Sequence, residues 1–232
     1  MNSIYLIPTV LAPETQQQVL PPEVIDSVKN LNVFFVENIK TARRFISSLK
    51  LGKVIDDITF HILTKNSQFE ETFNIMASLT EDAGIISEAG CPGVADPGAL
   101  AVEIAHQLNY TVVPLTGPSS ILLALMASGF NGQSFAFHGY LPIDRKERVK
   151  RLKELERLSF SSNQTQLFME TPFRNNQMLD SILQHCNPNT KLTVSVNLTA
   201  PNAFSKTFSI GKWKTMKNLD FHKQPAIFGF GT

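Results

Sequence analysis

The sequence predicts an α/β protein of two domains, with a mostly parallel sheet in the first domain and a mixed sheet in the second. Apolar runs alternate with helical patterns through the first half, and the runs 32–37 (NVFFVE) and 110–115 (YTVVPL) are apolar almost throughout. Such strands are typical of a parallel sheet covered on both faces. Three later strands follow one another without helices, which indicates antiparallel pairing. The 232 residues suit two domains, which we place at 1–117 and 118–232.

In the first domain, β-rich and helical patterns follow each other in a βαβ rhythm. Strands are expected at 4–10, 33–37, 58–63, 84–87 and 111–115, and helices at 23–31, 41–51, 69–79 and 97–108. The last helix places Leu100, Ile104 and Leu108 on one face, as an amphipathic helix requires.

In the second domain, the apolar segment 119–128 predicts a helix that ends at Gly129, a residue type favoured after a helix C-terminus. The remaining strands are expected at 135–140, 166–170, 191–198, 206–210 and 226–230, with helices at 144–158 and 175–186. This pattern indicates an α+β arrangement with a mixed sheet.

Composition excludes several classes of protein. Lys and Arg number 21 against 20 Asp and Glu, so any nucleic-acid contact must use a local patch. The longest apolar stretch, 121–130, is shorter than the roughly 20 residues that span a bilayer. The N-terminal segment has no basic region and Pro8 interrupts its apolar run, so we expect no secretory signal and a cytoplasmic location. Cys91, Cys186 and five scattered histidines show no metal-ligand spacing, and we expect no metal.

The segment 85–98, IISEAGCPGVADPG, is the most unusual in the chain. A strand there ends in a loop with three glycines, two prolines and the carboxylates of Glu88 and Asp96. Ligands of open α/β sheets bind beyond the carboxyl ends of the strands, where small residues let the backbone approach a nucleotide-like ligand. The loop fits equally a tight turn in which Asp96 caps the helix that Pro97 opens. It is neither a GxGxxG fingerprint nor a P-loop.

A second loop of this kind is 114–120, PLTGPSS, again between a strand and a helix. Ser119 or Ser120 is a candidate cap for that helix. Two such loops in neighbouring βα units would lie side by side at one edge of the sheet and form one cleft.

Together with ASGF, FHGYLP and METPFR, in this order, these loops carry a resemblance to a known family. The sequence resembles the tetrapyrrole-methylase superfamily of S-adenosylmethionine-dependent methyltransferases, and within it the branch of ribosomal RNA small subunit methyltransferase I. That branch has the pattern SDAGTPxISDPG, VVPLPGPSA, ASG, GFLP and YExPHR. The segment 37–44, ENIKTARR, resembles its EDTRxTRR, and the resemblance runs from residue 4 to about residue 231.

The resemblance implies a homodimer of two-domain chains that hold S-adenosylmethionine in the cleft between the domains. Most of the implied contact residues are small or apolar, which agrees with recognition by backbone atoms. Transferred position by position, the cofactor contacts are Pro8, Ala89, Gly90, Cys91, Val94, Ser119, Ser120, Glu170, Leu198 and Ala226.

The chain departs from the branch pattern at several positions. Its first loop reads PTVLAPE, with Val10 and Leu11 where the branch has a glycine-containing TPIGNL-type loop. Asn197, in VNLTAPNAF, stands where a glutamate is expected. Glu88 and Cys91 replace an aspartate and a threonine of the central motif.

Methyl transfer from a sulfonium is an in-line displacement, so positioning of the acceptor supplies most of the catalysis. A ribose hydroxyl acceptor also needs a base for its proton, and the candidates are Glu37, Glu88 and Asp96. Glu37 follows a predicted strand and would face the cleft. The alternative is that Glu37 forms an ion pair with Arg43 or Arg44.

Arginines are the candidates for RNA contacts. Arg43 and Arg44 open the second predicted helix beside Glu37, and Arg174 lies in METPFR. The run 145–157 holds seven basic residues, Arg148 and Arg151 among them, against three glutamates. Its alternative is a solvated amphipathic helix with an apolar stripe of Val149, Leu152 and Leu155.

The sequence therefore predicts a methyltransferase that uses S-adenosylmethionine and methylates the 2′-hydroxyl of a small-subunit ribosomal RNA nucleotide. A second hypothesis is methylation of a tetrapyrrole or another small molecule, which the near-neutral charge and the altered first loop favour. A third is a cofactor-binding protein without activity, motivated by Val10, Leu11 and Asn197.

Overall fold

In the computed structural model, which describes residues 2–232, five parallel strands form the first sheet. In chain order they are β1 (Ser3–Ile7), β2 (Val33–Val36), β3 (Thr59–Ile62), β4 (Ala83–Ile86) and β5 (Thr111–Pro114). They lie side by side in the order β3-β2-β4-β1-β5. The helices between them are α1 (Gln16–Val19), α2 (Pro22–Asn30), α3 (Ile39–Ser48), α4 (Phe69–Ala77) and α5 (Gly98–Gln107).

Both faces of this sheet are buried, as the apolar runs predict. Alternate residues of β2 point to opposite faces, so that Phe34 and Phe35 are 0% and 1% exposed in separate apolar cores. Phe34 packs in the core that includes α2 and α3, and Phe35 in the core that includes α4 and α5. The parallel, doubly covered sheet is therefore confirmed.

The strand order creates a switch point between β1 and β4. The chain leaves β1 towards β2 on one side and leaves β4 towards β5 on the other, although β1 and β4 are neighbours. Because β2 lies beyond β4 and β5 lies beyond β1, the two connections pass each other on opposite faces of the sheet, with α2 on one face and α5 on the other. Ligands of open α/β sheets bind where neighbouring strands send their connections to opposite faces.

The second sheet is mixed. Its strands are β6 (Phe135–Tyr140), β7 (Thr165–Glu170), β8 (Lys191–Val196), β9 (Phe204–Ser209) and β10 (Ala226–Gly231), in the order β6-β7-β10-β8-β9. Only β6 and β7 pair in parallel among them. The accompanying helices are α6 (Ser120–Ser128), α7 (Arg145–Ser161), α8 (Asn175–His185) and α9 (Ile210–Thr215).

The second core lies mainly on the face of this sheet that α7, α8 and α9 cover, where Phe168, Phe228, Phe230 and Trp213 are fully buried. Trp213 donates its indole N–H to the carbonyl of Leu192 (2.9 Å). The chain divides into two compact units, of which the first ends at Ser119 and the second spans Ser120–Thr232.

Local chemistry explains where the element boundaries differ from expectation. Helix α3 starts at Ile39 rather than at 41, because the Asn38 side chain accepts hydrogen bonds from the N–H groups of Lys40 and Thr41. The sequence pattern did not predict α1 and α9, which have four and six residues. Within residues 2–232, none of the helices is both long enough and apolar enough to cross a membrane.

Gly117, in the loop after β5, approaches the loop after β1 closely. A Cβ atom at residue 117 would lie 2.2 Å from Cβ and 2.3 Å from Cγ of Pro8. The two loops can pack together only because residue 117 has no side chain.

We therefore expect Gly117→Ala to destabilise the protein, by about 1–3 kcal/mol for an overpacked contact. Thermal unfolding measures the effect. The control is Gly132→Ala, because a Cβ at residue 132 meets nothing within 4 Å and this glycine does not have a positive φ. Equal unfolding temperatures of the two variants would contradict the proposed packing.

Candidate functional site

Three loops meet at the carboxyl edge of the first sheet. The N–H of Thr9, after β1, donates to the carbonyl of Gly90, after β4 (2.9 Å). The thiol of Cys91 points at the carbonyl of Pro118, after β5 (3.5 Å). The predicted juxtaposition of the loops 85–98 and 114–120 is thus observed, with the loop after β1 packed against both.

The loop 88–98 is built as a turn. One carboxylate oxygen of Asp96, Oδ1, accepts from the N–H of Gly93 (2.6 Å) and from the N–H of Gly98 (2.9 Å), the first residue of α5. Gly90 and Gly93 have φ angles of +77° and +79°, which glycine adopts without strain. Asp96 therefore has a structural role in this turn, as the alternative interpretation predicted.

The three candidate bases lie near one another. Burial raises the pKa of the Glu37 carboxyl above its usual 4.5, and the charges of Asp96 and Glu88 raise it further. A hydrogen bond from the Glu88 backbone acts in the opposite direction. The hydroxyl of Thr41 contacts Glu88 Oε1. In residues 2–232 no three His, Cys, Asp or Glu side chains are arranged to hold a metal ion.

The alternative interpretation, an ion pair of Glu37 with Arg43 or Arg44, is wrong. Arg43 pairs with Asp56, and none of the ion pairs in the described part of the chain includes Glu37. The Glu37 carboxylate is thus half-buried beside two other carboxylates without a cation, which is the arrangement that raises the pKa of a base.

One of these carboxylate residues, Glu88, lines a pocket of about 480 Å³ whose walls all belong to the first unit. Its walls also include Arg44, Phe45 and Val10. Its volume lies in the usual range for small-molecule sites. Val10, one of the departures from the branch pattern, therefore helps to shape this pocket.

The basic helix α7 does not present all its arginines to solvent. Arg148 is 6% exposed, and its guanidinium donates to Ser181 Oγ (3.2 Å) and to the carbonyl of Ile143 (2.9 Å). Its expected role as an RNA contact is therefore wrong. Arg151 is half-buried and donates to Glu154 (2.6 Å) and to Nδ1 of His138 (3.0 Å).

In the second unit, Glu170 ends β7 and is 4% exposed. Its Oε1 accepts from the Thr171 N–H (2.6 Å) and from the Arg174 guanidinium (2.6 Å). Its Oε2 is buried and has no hydrogen-bond partner among the described residues, and the same holds for the hydroxyl oxygen of Thr199. Buried polar atoms without protein partners are costly unless a ligand or water satisfies them.

Leu198 follows β8 and Ala226 begins β10. Because β7 and β8 both run antiparallel to β10, these two residues and Glu170 lie at one edge of the second sheet. Asn197 at this edge has a φ of +51° and donates to Gln224 Oε1 (2.7 Å). The asparagine that replaces the expected glutamate therefore links two loops of the edge.

The sequence analysis did not single out two residues that line the pocket, Thr41 and Phe45. Both lie on the face of α3 that also carries Arg44 towards the pocket. The spacing from 41 to 45 is one helical turn, a signal that the sequence contained.

The raised pKa of Glu37 has a consequence for stability. The folded state binds the Glu37 proton more tightly than the unfolded chain does. The protonated carboxyl therefore contributes to the stability of the fold. This contribution to stability is complete below pH 4.5 and is lost as the pH rises through the folded-state pKa. We expect Glu37→Gln to raise the unfolding temperature at pH 7 and to leave it unchanged at pH 4 or below. Glu103→Gln, which removes an exposed carboxylate of α5, is the control. A gain that is the same at both pH values would contradict the electrostatic origin.

No protein-family model matches the chain. Among curated proteins, similar sequences are named ribosomal RNA small subunit methyltransferase I. The relative from Borrelia garinii subsp. bavariensis is 30% identical over 131 residues, which cover 56% of this chain and 57% of the relative. The relative from Bacillus subtilis is 27% identical, and the match covers 79% of this chain and 60% of the relative. The relative from Buchnera aphidicola subsp. Schizaphis graminum is 26% identical, and the match covers 84% of this chain and 65% of the relative. The chain thus spans about three fifths of the length of these relatives.

Two solved structures with the same fold align with the whole length of this chain. The methyltransferase CobJ is 14% identical with a TM-score of 0.63, and 95% of its chain is covered. A conserved hypothetical protein from Aeropyrum pernix K1 is also 14% identical, with a TM-score of 0.67 and 84% covered. The names of the sequence relatives agree with the resemblance to ribosomal RNA small subunit methyltransferase I that the motifs predicted, and the solved structures show the same fold.

Proposed function

We propose that the chain is a methyltransferase that uses S-adenosylmethionine to methylate the 2′-hydroxyl of a ribose in small-subunit ribosomal RNA. The main support for the proposal is that the loops after β1, β4 and β5 meet at the switch point of the first sheet, beside the half-buried carboxylate of Glu37. The names of the sequence relatives support the reaction and the substrate class.

The residues that would hold the cofactor fit a ligand with both apolar and hydrogen-bonding groups. Ala89 and Cys91 offer small side chains beside the backbone of the central loop, and the loop carrying Ser119 packs against it. In the second unit, the unpartnered Oε2 of Glu170 is an acceptor for a hydroxyl or amino group. The other proposed contacts are Pro8, Gly90, Val94, Ser120, Leu198 and Ala226. When bound, the cofactor supplies the methyl group.

The chain's own contribution to the reaction is to position the acceptor and to take its proton. Glu37 is the base that we favour, because its raised pKa makes it a stronger base than an exposed glutamate. It would hold the proton that the ribose hydroxyl loses as the new O–C bond forms. Glu88 and Asp96 act through their charges, and Asp96 also holds the turn.

The pocket next to Glu88 suits the acceptor nucleotide. Arg44 would bind a phosphate oxygen, and Phe45 offers an apolar wall for the ribose or the base. Of the other proposed RNA contacts, Arg43 and Arg151 already bind exposed carboxylates, whereas Arg174 pairs with the buried Glu170 and keeps part of its guanidinium exposed. The exposed Lys146 and Lys150 of α7 remain open to solvent. We also propose that the protein acts in the cytoplasm as a homodimer.

A methyl-transfer assay tests the proposal. Purified protein, small-subunit ribosomal RNA and isotope-labelled S-adenosylmethionine are expected to yield one 2′-O-methylated ribose, located by mapping of the RNA. Glu37→Gln should slow the transfer by at least about 100-fold, the usual contribution of a positioned base. Its cofactor affinity, measured by calorimetry, should equal that of the parent.

Two results would contradict the proposal in different ways. Transfer to a precorrin-like macrocycle but not to RNA would identify a small-molecule methyltransferase. Tight cofactor binding with no transfer to either acceptor would identify a cofactor-binding protein without activity.

A further inference from the structure

Two large aromatic side chains of the second unit are exposed at one edge of its sheet. Tyr140, at the end of β6, is 58% exposed, and Phe173, just after β7, is 65% exposed. Most other rings of this unit are buried or half-buried. Exposed rings at the same edge require an explanation, because burying such surface would stabilise the fold.

Sheet topology brings three loops together at this edge. Strands β6 and β7 are parallel, so Tyr140 and the short 3₁₀ helix Pro172–Arg174 leave the sheet at the same end. Strand β10 runs antiparallel to β7, so the loop that precedes it arrives there as well. The N–H of Lys223 in that loop donates to the carbonyl of Pro172 (2.9 Å). His222 packs edge to face against Phe173, with ring centroids 6.0 Å apart.

A fixed cation lies beside these rings. Arg174 donates from Nη2 to Glu170 Oε1 (2.6 Å), and this hydrogen bond raises the pKa of the guanidinium above its usual value. Tyr140 is near enough to contribute to the same shift. Because Glu170 is almost completely buried, the partly exposed guanidinium is held at one place on the surface.

The charged groups nearby are compatible with a negatively charged ligand. Lys223 is an exposed cation in the loop next to Phe173. Of the carboxylates in the neighbouring loops, Asp144 accepts from two backbone N–H groups at the start of α7, and Asp220 accepts from Asn176 and from the backbone of His222.

We propose that Tyr140, Phe173 and His222 form a stacking platform for the bases of single-stranded RNA, with Arg174 and Lys223 beside its phosphates. The combination of exposed rings with cations is the one that binds single strands, since every base has a face to stack and every linkage has a charge. Such a platform would hold the RNA strand without reading its sequence. The inference rests on the proposed function, because it takes RNA as the substrate.

Phe173 is the residue on which the test depends. The branch motif YExPHR has a histidine at this position, whereas this chain has phenylalanine in METPFR. The side chain is largely exposed and contacts only the His222 ring among the ring pairs of residues 2–232, so its removal should spare the core.

The experiment measures binding of a labelled single-stranded RNA of small-subunit sequence by fluorescence anisotropy. We expect Phe173→Ala and Tyr140→Ala each to weaken binding by about 5- to 150-fold, the range for loss of one stacked base. The salt dependence should stay the same, because a ring neutralises no phosphate. The matched control is Phe160→Ala, an exposed ring at the other end of α7, which should bind as the parent does.

A second variant reports the contact directly. Phe173→Trp should keep the affinity of the parent, and its emission should be quenched when single-stranded RNA stacks on the indole. The native Trp213 is 0% exposed and should not respond. Duplex RNA, whose bases are already stacked, should leave the emission unchanged.

The outcomes separate this inference from the proposed function. If Phe173→Ala binds RNA as tightly as the parent, or if the indole emission does not change, the platform is refuted and an RNA methyltransferase without it still stands. If the parent binds no RNA while calorimetry shows cofactor binding, both the platform and the RNA substrate are refuted. If Phe173→Ala instead converts a dimer to a monomer in sedimentation, the patch is a contact between copies and the inference is wrong.

Discussion

The contact between the loops after β1 and β4 is the constraint on which the site depends. It follows from the strand order, which makes β1 and β4 neighbours while their connections leave in opposite directions. The hydrogen bond from Thr9 to Gly90 then fixes the two loops to each other, and the close approach of Gly117 to Pro8 adds the loop after β5. Small residues recur in these loops because side chains would separate the backbones.

The same arrangement determines the electrostatics of the site. Loops that must lie this close bring the carboxylate of Glu37, after β2, near those of Glu88 and Asp96. One of these residues, Asp96, holds the turn through its side-chain hydrogen bonds. Burial is the larger cause of the raised pKa values of Glu37 and of the Cys91 thiol, and the charge of Asp96 raises both further. A structural carboxylate and a candidate base are thus coupled, so that a change in the turn is expected to alter the proton affinity of the base.

Most of the fold was predictable from the sequence because its strands are short apolar runs separated by clear helical patterns. Parallel pairing followed from the continuous runs, and both faces of β2 are indeed buried. Helices α1 and α9 escaped prediction because four and six residues are too few to show a helical period. The Arg43 to Asp56 ion pair joins α3 to a residue 13 positions later, and only the folded chain brings these two together.

The site was less predictable, and Arg148 shows why. The sequence identified an apolar stripe through Val149, Leu152 and Leu155, which left Arg148 with the solvated residues. The buried face of α7 in fact contains Arg148, Leu152, Leu155 and Ser159, at the spacing of one helix face. Because arginine is charged, Arg148 was expected to be exposed. Its guanidinium instead donates hydrogen bonds to Ser181 Oγ and to the Ile143 carbonyl, and no local sequence pattern reveals these partners. By contrast, the closeness of Glu37 and Glu88 was predictable, because these residues follow two parallel strands and the carboxyl ends of parallel strands lie at one edge of the sheet.

Amide hydrogen exchange with and without S-adenosylmethionine tests whether the loops after β1, β4 and β5 form one cofactor site. We expect slower exchange in 9–11, 88–93 and 117–120 when the cofactor is added, and no change in 53–58, which precedes β3 and lies at the amino ends of the strands. Protection that is absent from 88–93, or that appears in 53–58 instead, would show that these loops do not form the cofactor site.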